Sequence, residues 1–392
     1  MANKAYKFRL YPNSEQKAFL AKCFGCSRFV YNHFLRLTTD TYALVKKHLR
    51  YKDTAGLLTR LKKEEDKSWL SEVNSQSLQQ TLKDLESAFS RFFKKIAAFP
   101  RFKKKSNRQS FKVPQHFSIT NDGKLKLPKM EPITMVIHRE LEGEMKSVTI
   151  SKTPTGKYYA SILVEYERSS TPLNGSVIGA DLGLKEFVIT SNGDKYPNPK
   201  HLKKSLKRLK RLQRALSRKA KDSSNRIKAR SFVAKAHERV ANQRKDMHHK
   251  LSLKLTCENK AIALEDLNLK GMVKNHKLAQ AISDAGWGQF LSFLEYKGEL
   301  YGCEIRQIDR FFPSSKRCSN CGYIKSDLTL AIREWDCPEC LVQHDRDINA
   351  ALNILKFSES TAGSAETHTP EKLVERQGYQ EGYFLGSGSL TP

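Results

Sequence analysis

Apolar and polar residues alternate through the opening "KAYKFRLYP", and the alternation stops at Pro12, which predicts a short strand. A helix should follow. Asn13 with Gln16 three residues on has the form of a capping box, and Phe19, Leu20, Phe24, Val30, Tyr31 and Phe34 recur at helical spacing. A second amphipathic helix is expected in "SLQQTLKDLESAFSRFFKK", striped by Leu78, Leu82, Leu85, Phe89 and Phe92. Residues 13–97 therefore read as a helical unit. From Phe99 the texture turns basic and aromatic in "FPRFKKKSNRQSF". Short β-rich runs follow, "ITMVIHR", "SVTIS" and "YYASILVEYE", the last two joined by a Pro-Thr-Gly turn. A small antiparallel barrel or sheet is expected there, completed by the first strand.

A further alternation of types begins at "SVIGADLGLKEFVITSNGDKY", two strand-like runs whose second ends in an Asn192-Gly193 turn. A long basic helical stretch, roughly 200–258, leads to the apolar strand "AIALEDL", a helix around "WGQFLSFLEYKGEL" and a strand "CEIRQID". Strands alternating with helices point to an α/β sheet. After a cysteine cluster, "DINAALNILK" closes the region as one helix. Beyond Lys356 the chain is rich in Ser, Gly, Thr and Glu without a sustained period, and a disordered tail, 357–392, is expected.

Composition narrows the partners. The chain has 392 residues, 70 of them Lys or Arg against 41 Asp or Glu, a formal charge of +29 that makes a polyanion the default partner. No run of about 18 apolar residues and no apolar segment near Met1 suggests a membrane or export, so a soluble, cytoplasmic protein is expected. Its charge is also unevenly spread. From Lys203 to Arg230 acids are nearly absent, and the cations surround a thin seam of Leu206, Leu209, Leu212 and Leu216; Lys207, Arg208 and Arg211 are candidate phosphate contacts. In "FPRFKKKSNRQSF", Arg101, Lys103 and Lys104 are candidates for the same reason, with aromatic rings available for stacking.

Against that background a few acids stand where apolar runs end. Asp181 ends "VIGAD", Glu265 ends "AIALE", and an aspartate opens "DINAALNIL". Hydrolysis of a phosphodiester needs an activated water and a stabilised leaving oxygen, which two divalent ions held by carboxylates supply. Magnesium prefers such oxygen ligands. A lone acid at a strand end is more often a cap or a turn, but chemistry in an open α/β sheet collects at the carboxyl ends of the strands, and two of the three lie there. For the third position Asp345 competes with Asp347. Asp345 can be neutralised by Arg346 or cap the helix. Asp347 directly precedes the apolar stripe of Ile348, Ala351 and Leu352, is held more rigidly, and is preferred as a ligand. Asn349 and Asn353, one turn apart, could orient ligands or bind backbone, although a plain solvated helix face explains them too.

Cys318 and Cys321 form one C-x-x-C and Cys337 and Cys340 another, a spacing that predicts a closed four-thiolate zinc site of structural purpose, in a reducing compartment. Cys23 and Cys26 lack a second pair and read as core thiols. Cys257 and Cys303 are isolated and expected to be buried.

Together, "YKFRLYPNSEQKAFLAKCFGCSRFVYN", "FPRFKKKSNRQSF", "KSVTISKTPTGKYYASILVE", "GADLGLKEFVITSNG", "LEDLNLKGM", "CSNCG", "REWDCPEC" and "HDRDINAALNIL" make the chain resemble TnpB, the RNA-guided nucleases of prokaryotic insertion sequences related to type V CRISPR effectors. The resemblance runs from Lys4 to Lys356. It implies an RNase H-like (RuvC) nuclease domain at 173–310 and 343–356, interrupted by a zinc ribbon at 311–342. Ahead of these it implies a wedge β-barrel from 1–12 and 98–172, into which a helical recognition domain, 13–97, is inserted. It also implies catalysis by Asp181, Glu265 and Asp347 with a two-magnesium site, a guide RNA from the transposon end, and a double-stranded DNA target beside a short adjacent motif. A monomer is favoured. Gln79, Gln80 and Lys83 become candidates for contact with the motif duplex. One departure stands out: Leu341 follows Cys340 where such sequences usually carry glycine. A guided binding protein that has lost cutting is the alternative, but it should show a broken acidic triad, and all three acids are present. A cut-and-paste transposase also uses three acids on such a fold; the zinc ribbon between the second and third argues against it.

Overall fold

The computed structural model describes residues 2–106, 108–167, 175–329 and 331–362. The chain forms two compact units, Met1–Ser169 with Ser205–Ala241, and Ser170–Lys204 with Asn242–Pro392.

In the first unit β1 (Ala2–Tyr11) leads into α1 (Ser14–Val45), whose Asn13 side chain accepts from the Gln16 N–H while the Gln16 side chain accepts from the Asn13 N–H. The expected capping box is present. Then come α2 (Tyr51–Leu61), a 3-10 helix (Glu65–Glu72) and α3 (Ser75–Phe93). The strands β2 (Gln109–Val113), β3 (Ser118–Ile119), β4 (Leu125–Leu127), β5 (Met130–Val136), β6 (Glu144–Lys152) and β7 (Tyr158–Tyr166) join β1 in an antiparallel sheet of order β2-β6-β7-β1-β5-β4-β3. β1 lies inside it, between β7 and β5. Its alternation has a plain cause: Tyr6, Phe8 and Leu10 face a core that also takes Leu20, Phe24, Phe34, Leu78 and Leu82 from α1 and α3. The helices and the sheet thus share one hydrophobic core.

In the second unit β8 (Ser176–Leu182), β9 (Glu186–Thr190) and β10 (Lys195–Pro197) run as an antiparallel meander. The basic stretch expected as one helical run is two helices, α4 (His201–Ser217) and α5 (Ser224–Glu258), and both straddle the division of the chain. Residues 205–241 cluster with the first unit rather than with the nuclease-like region to which sequence reading assigns them. One reason is Glu238, which accepts from Thr155 Oγ1 at 2.9 Å and Lys157 Nζ at 2.8 Å in the β6–β7 turn.

After α5 come β11 (Asn259–Glu265), α6 (Leu269–Met272), α7 (Ala279–Ala285), α8 (Trp287–Tyr301) and β12 (Glu304–Ile308). β11 lies parallel to both β8 and β12, giving the order β10-β9-β8-β11-β12. A two-stranded ribbon, β13 (Glu334–Asp336) and β14 (Gln343–Asp345), precedes α9 (Arg346–Ala362). Alternation along β11 divides the core. Ile262 and Leu264 pack with Phe290 and Leu294 of α8 and Leu255 of α5, while Ala263 meets Ile354 of α9.

The last helix departs from the sequence reading in length. It continues six residues past Lys356, because Phe357 packs on Phe312 with ring centroids 4.3 Å apart and Ser358 is buried. The rest of the expected disordered tail, 363–392, and the expected domain boundary near 172 lie outside the described residues. Cys23, Cys26 and Cys303 are buried as expected, whereas Cys257 is exposed, on the outer side of the last turn of α5. Among the described residues no helix is long and apolar enough to cross a membrane.

The seating of α9 on β8 is unusually close. A Cβ built on Gly179 would lie 2.0 Å from the Ala351 carbonyl oxygen and 2.8 Å from the Leu355 nitrogen, both backbone atoms that cannot step aside. Gly179→Ala is therefore expected to lower the unfolding free energy by ~3 kcal/mol through forced overpacking, measured by denaturant unfolding. A cost under about 0.5 kcal/mol would show that the helix is not held against the strand.

Candidate active site and zinc ribbon

Two of the three acids are brought together by strand register. Asp181 is the penultimate residue of β8 and Glu265 the last of β11; the neighbouring strands are parallel, with Ala180 opposite Leu264, so both acids reach the same end of the sheet. Asp347 arrives from the first turn of α9, the helix packed on β8. Asp181 feels the charges of both other acids. Burial pushes the Asp181 carboxyl up to about 7, and the negative charges of Glu265 and then Asp347 add to it, against the opposing pull of Arg346 and the Leu182 N–H. Burial also raises Glu265, and a hydrogen bond from Ser314 Oγ to Glu265 Oε1 opposes that.

Asp345 is a cap, as one of its two readings allowed. Its Oδ1 accepts from the backbone N–H of Asp347 at 3.0 Å and of Ile348 at 3.1 Å. Its neutralising partner is Lys195, 2.5 Å away, rather than Arg346. Although burial pushes its pKa up, Lys195 and the two backbone donors outweigh that and hold the carboxyl below the usual range. This cap fixes the backbone of Asp347 and leaves the Asp347 carboxylate to face Arg333, whose Nη1 donates to Oδ1 at 3.2 Å and Oδ2 at 3.1 Å.

Three half-buried acids with few counter-charges would suit a hard divalent cation, although among the described residues it is the four cysteines, and not these acids, whose ligand atoms close to within 4.8 Å of one another. The guanidinium of Arg333 already places a positive charge on Asp347, so that carboxylate would pass from one cation to another or be shared.

Just before α9 the four predicted cysteines converge. Their sulfur atoms lie within 4.8 Å of one another, with Cys318–Cys340 at 3.6 Å and Cys321–Cys337 at 3.5 Å. Sulfurs on a tetrahedral zinc with bonds of ~2.3 Å stand about 3.8 Å apart, so the four thiols fit a structural zinc. Each pair sits on a knuckle of the same design. In the first, the Cys318 N–H donates to Tyr323 and the Gly322 N–H to Cys318; in the second, the Cys337 N–H donates to Val342 and the Leu341 N–H to Cys337. Both knuckles need a left-handed residue, Gly322 at φ 84° and Leu341 at φ 57°. Trp335 and His344 pack behind the cluster, and His344 Nε2 stands 3.0 Å from Cys318 Sγ.

The ribbon is bolted to α9. Asn349 and Asn353, for which a solvated helix face was one reading, are 1% and 3% exposed and bind backbone. Asn349 donates to the Arg317 carbonyl at 2.7 Å and accepts from the Ser319 N–H at 2.8 Å; Asn353 donates to the carbonyls of Ser314 at 2.8 Å and Arg317 at 2.5 Å.

The candidate nucleic-acid contacts are scattered by comparison. Lys207, Arg208 and Arg211 are exposed on α4, with Leu209 the buried residue beneath them. Arg101, Lys103 and Lys104 are all exposed, and the ammonium of Lys103 lies 3.9 Å over the Tyr31 ring. On α3 Gln79 is exposed, Gln80 donates to Asp84 at 3.0 Å, and the Lys83 ammonium lies 5.2 Å over Tyr51. Sequence reading missed Ser314, Arg333 and Lys195, because each meets its acid only through tertiary contact.

Comparison with known proteins shows the family. Residues 161–276 match the OrfB family of IS605 elements, described as "Probable transposase", residues 287–354 a "Cas12f1-like, TNB domain", and residues 1–47 a "Helix-turn-helix domain". That last stretch folds here as β1 and the single long helix α1. A "Putative RNA-guided DNA endonuclease" of Streptomyces pristinaespiralis is 41% identical over 96% of this chain and 94% of its own. The similarly named InsQ of Escherichia coli K12 is 32% identical over 93% and 94%. "TnpB-like protein L79" of Acanthamoeba polyphaga mimivirus is 30% identical over 58% and 45%. The chain belongs to the TnpB-like family. A solved Cas12f1 chain, from a complex with single-guide RNA and target DNA, aligns over 90% of this chain and 98% of its own at 14% identity and a TM-score of 0.49.

Two outcomes follow from the site itself. Because folding raises the Asp181 pKa from 3.8 to about 7, its contribution to stability is full in acid and is lost as pH rises through that window. Without divalent ions, wild type should lose ~1–3 kcal/mol relative to Asp181→Asn between pH 4 and pH 7, read from denaturant midpoints; parallel curves would refute the raised pKa. Leu341→Gly should relieve a left-handed non-glycine residue and stabilise the ribbon by ~1 kcal/mol, seen as slower zinc release to a chelator.

Proposed function

We propose that this chain is an RNA-guided DNA endonuclease that hydrolyses phosphodiesters with divalent metal held by Asp181, Glu265 and Asp347. The observation that carries this reading is the placement of Asp181 and Glu265 at the same end of two parallel strands, with Asp347 in the first turn of the helix packed on the first of them. Support for an RNase H-like (RuvC) nuclease domain comes from the strand order, an antiparallel meander followed by two parallel strands, with acids at the ends of β8 and β11 and on α9.

Magnesium bound there would supply Lewis-acid stabilisation and an activated water. The chain's own residues set the conditions. Asp181 and Glu265 project from the ends of paired strands and hold their spacing, and Asp345 with Lys195 keeps the start of α9 in place beneath Asp347. Arg333 and Arg346 balance part of the negative charge when the acids stand alone. The Cys318, Cys321, Cys337 and Cys340 ribbon, loaded with zinc, would fix α9 from outside.

A formal charge of +29 suits a guide RNA and a duplex DNA target held together. The exposed cations Lys207, Arg208, Arg211, Arg101, Lys103 and Lys104, with Gln79, Gln80 and Lys83, are the proposed contacts. A bacterial cytoplasmic setting and a monomeric nucleoprotein complete the reading. A guided binding protein without cutting is not favoured, since the acids are intact.

The purified ribonucleoprotein with Mg²⁺ and a plasmid carrying a matched target should give linear DNA. Asp181→Ala should still bind that target and lose cutting by ~1000-fold or more, as expected when a ligand to the catalytic metal is removed. Cutting at the wild-type rate by Asp181→Ala, or purification free of RNA, would defeat the proposal.

A further inference from the structure

The loop that joins β12 to the zinc ribbon contains a residue tied to one of the three acids and to the helix that carries another. Ser314 is 6% exposed, and its Oγ–H donates to Glu265 Oε1. The same residue's carbonyl accepts from Asn353 Nδ2 at 2.8 Å, and its N–H donates to the Phe312 carbonyl at 2.8 Å. Asn353 lies six residues beyond Asp347 on α9, about 9 Å along the helix axis, so Ser314 joins the Glu265 strand to the Asp347 helix through two hydrogen bonds.

We propose that Ser314 is a positioning residue of the carboxylate site, setting Glu265 at a fixed separation from the helix that carries Asp347 so that a divalent cation can be shared. The inference rests on the nuclease reading above. A flexible glutamate pays side-chain entropy each time it is fixed by an ion. The hydroxyl removes that freedom beforehand by taking Oε1, and it leaves Oε2 for the metal. The surroundings make the anchor stiff. Asn349 and Asn353 are almost fully buried and satisfy the carbonyls of Ser314 and Arg317 where water does not reach, so each bond is costly to break. Cys318 follows four residues later, so a zinc-loaded ribbon also fixes the far end of this loop. Such outer partners of metal-binding groups ordinarily tune metal affinity.

The test uses the intact ribonucleoprotein and two readouts: Mn²⁺ binding followed by electron paramagnetic resonance, and the Mg²⁺ concentration that half-saturates cleavage. Ser314→Ala should weaken Mn²⁺ binding roughly tenfold and raise the half-saturating Mg²⁺ by the same factor. Zinc content and target binding should stay at the wild-type level, and Ser314→Thr, which keeps the hydroxyl, should restore both readouts. Unchanged Mn²⁺ affinity in Ser314→Ala would overturn the proposal, as would zinc loss that accounts for the defect, since that would make the role purely structural. The nuclease reading fails separately: wild type would then bind no Mn²⁺ that Asp181→Ala abolishes.

Discussion

The backbone of α9 lies directly on the backbone of β8, and the site cannot be assembled without that approach. Gly179 permits it, since any Cβ there would meet the Ala351 carbonyl well inside contact distance. Ala350 and Ala351 answer with small side chains, both essentially fully buried. The segments "GAD" and "NAAL" thus solve one steric problem from two sides. Asp181 stands two residues from the contact on the strand and Asp347 one helical turn before it on the helix. Close packing of small residues therefore sets the distance between two acids that repel each other.

That repulsion must be held by something other than the acids themselves. Salt bridges at the rim do little, because Arg333 and Lys195 are each about half exposed and such pairs contribute ~0–1 kcal/mol. The covalent and buried connections weigh more. On one side the parallel pairing of β8 and β11 fixes Asp181 against Glu265. On the other the ribbon grips α9 through buried amides that would be left unsatisfied if it slipped, at ~1–3 kcal/mol for each orphaned group. The relative placement of the acids is thereby enforced by hydrogen bonds made elsewhere.

Local pattern made the periodic parts of this fold readable in advance. The alternation in "KAYKFRLYP", the Asn13–Gln16 cap and the two cysteine pairs each carry their cause within a few residues, and each is found in place. Acids ending apolar strands were legible for the same reason. What stayed hidden depends on distant partners. Ser314 lies 49 residues from Glu265, and Lys195 lies 150 from Asp345. The 3-10 helix has only a weak stripe of its own, and it and the short α2 are ordered by packing of Leu58, Leu61 and Leu70 into the shared core. The end of α9 was missed because Ser and Glu dominate its composition, while one residue, Phe357, supplies the anchor on Phe312. Sequence shows the charge of the exposed Lys103 but not the ring of Tyr31 beside it.

The ribbon carries a local misfit that a bound metal would outweigh. Its two knuckles impose the same left-handed turn, filled by glycine at Gly322 and by leucine at Leu341. A left-handed non-glycine residue costs ~1–2 kcal/mol, and the exposed Leu341 side chain offers no packing in return. Four thiolates closing on zinc contribute ~10 kcal/mol or more to folding a small ribbon. Zinc bound there would outweigh the backbone strain several-fold, and the second knuckle has the hydrogen bonds of the first despite its sequence. The position after the last cysteine is accordingly free to change without loss of a ligand, whereas Gly179, pressed between two backbones with no metal to compensate, is not.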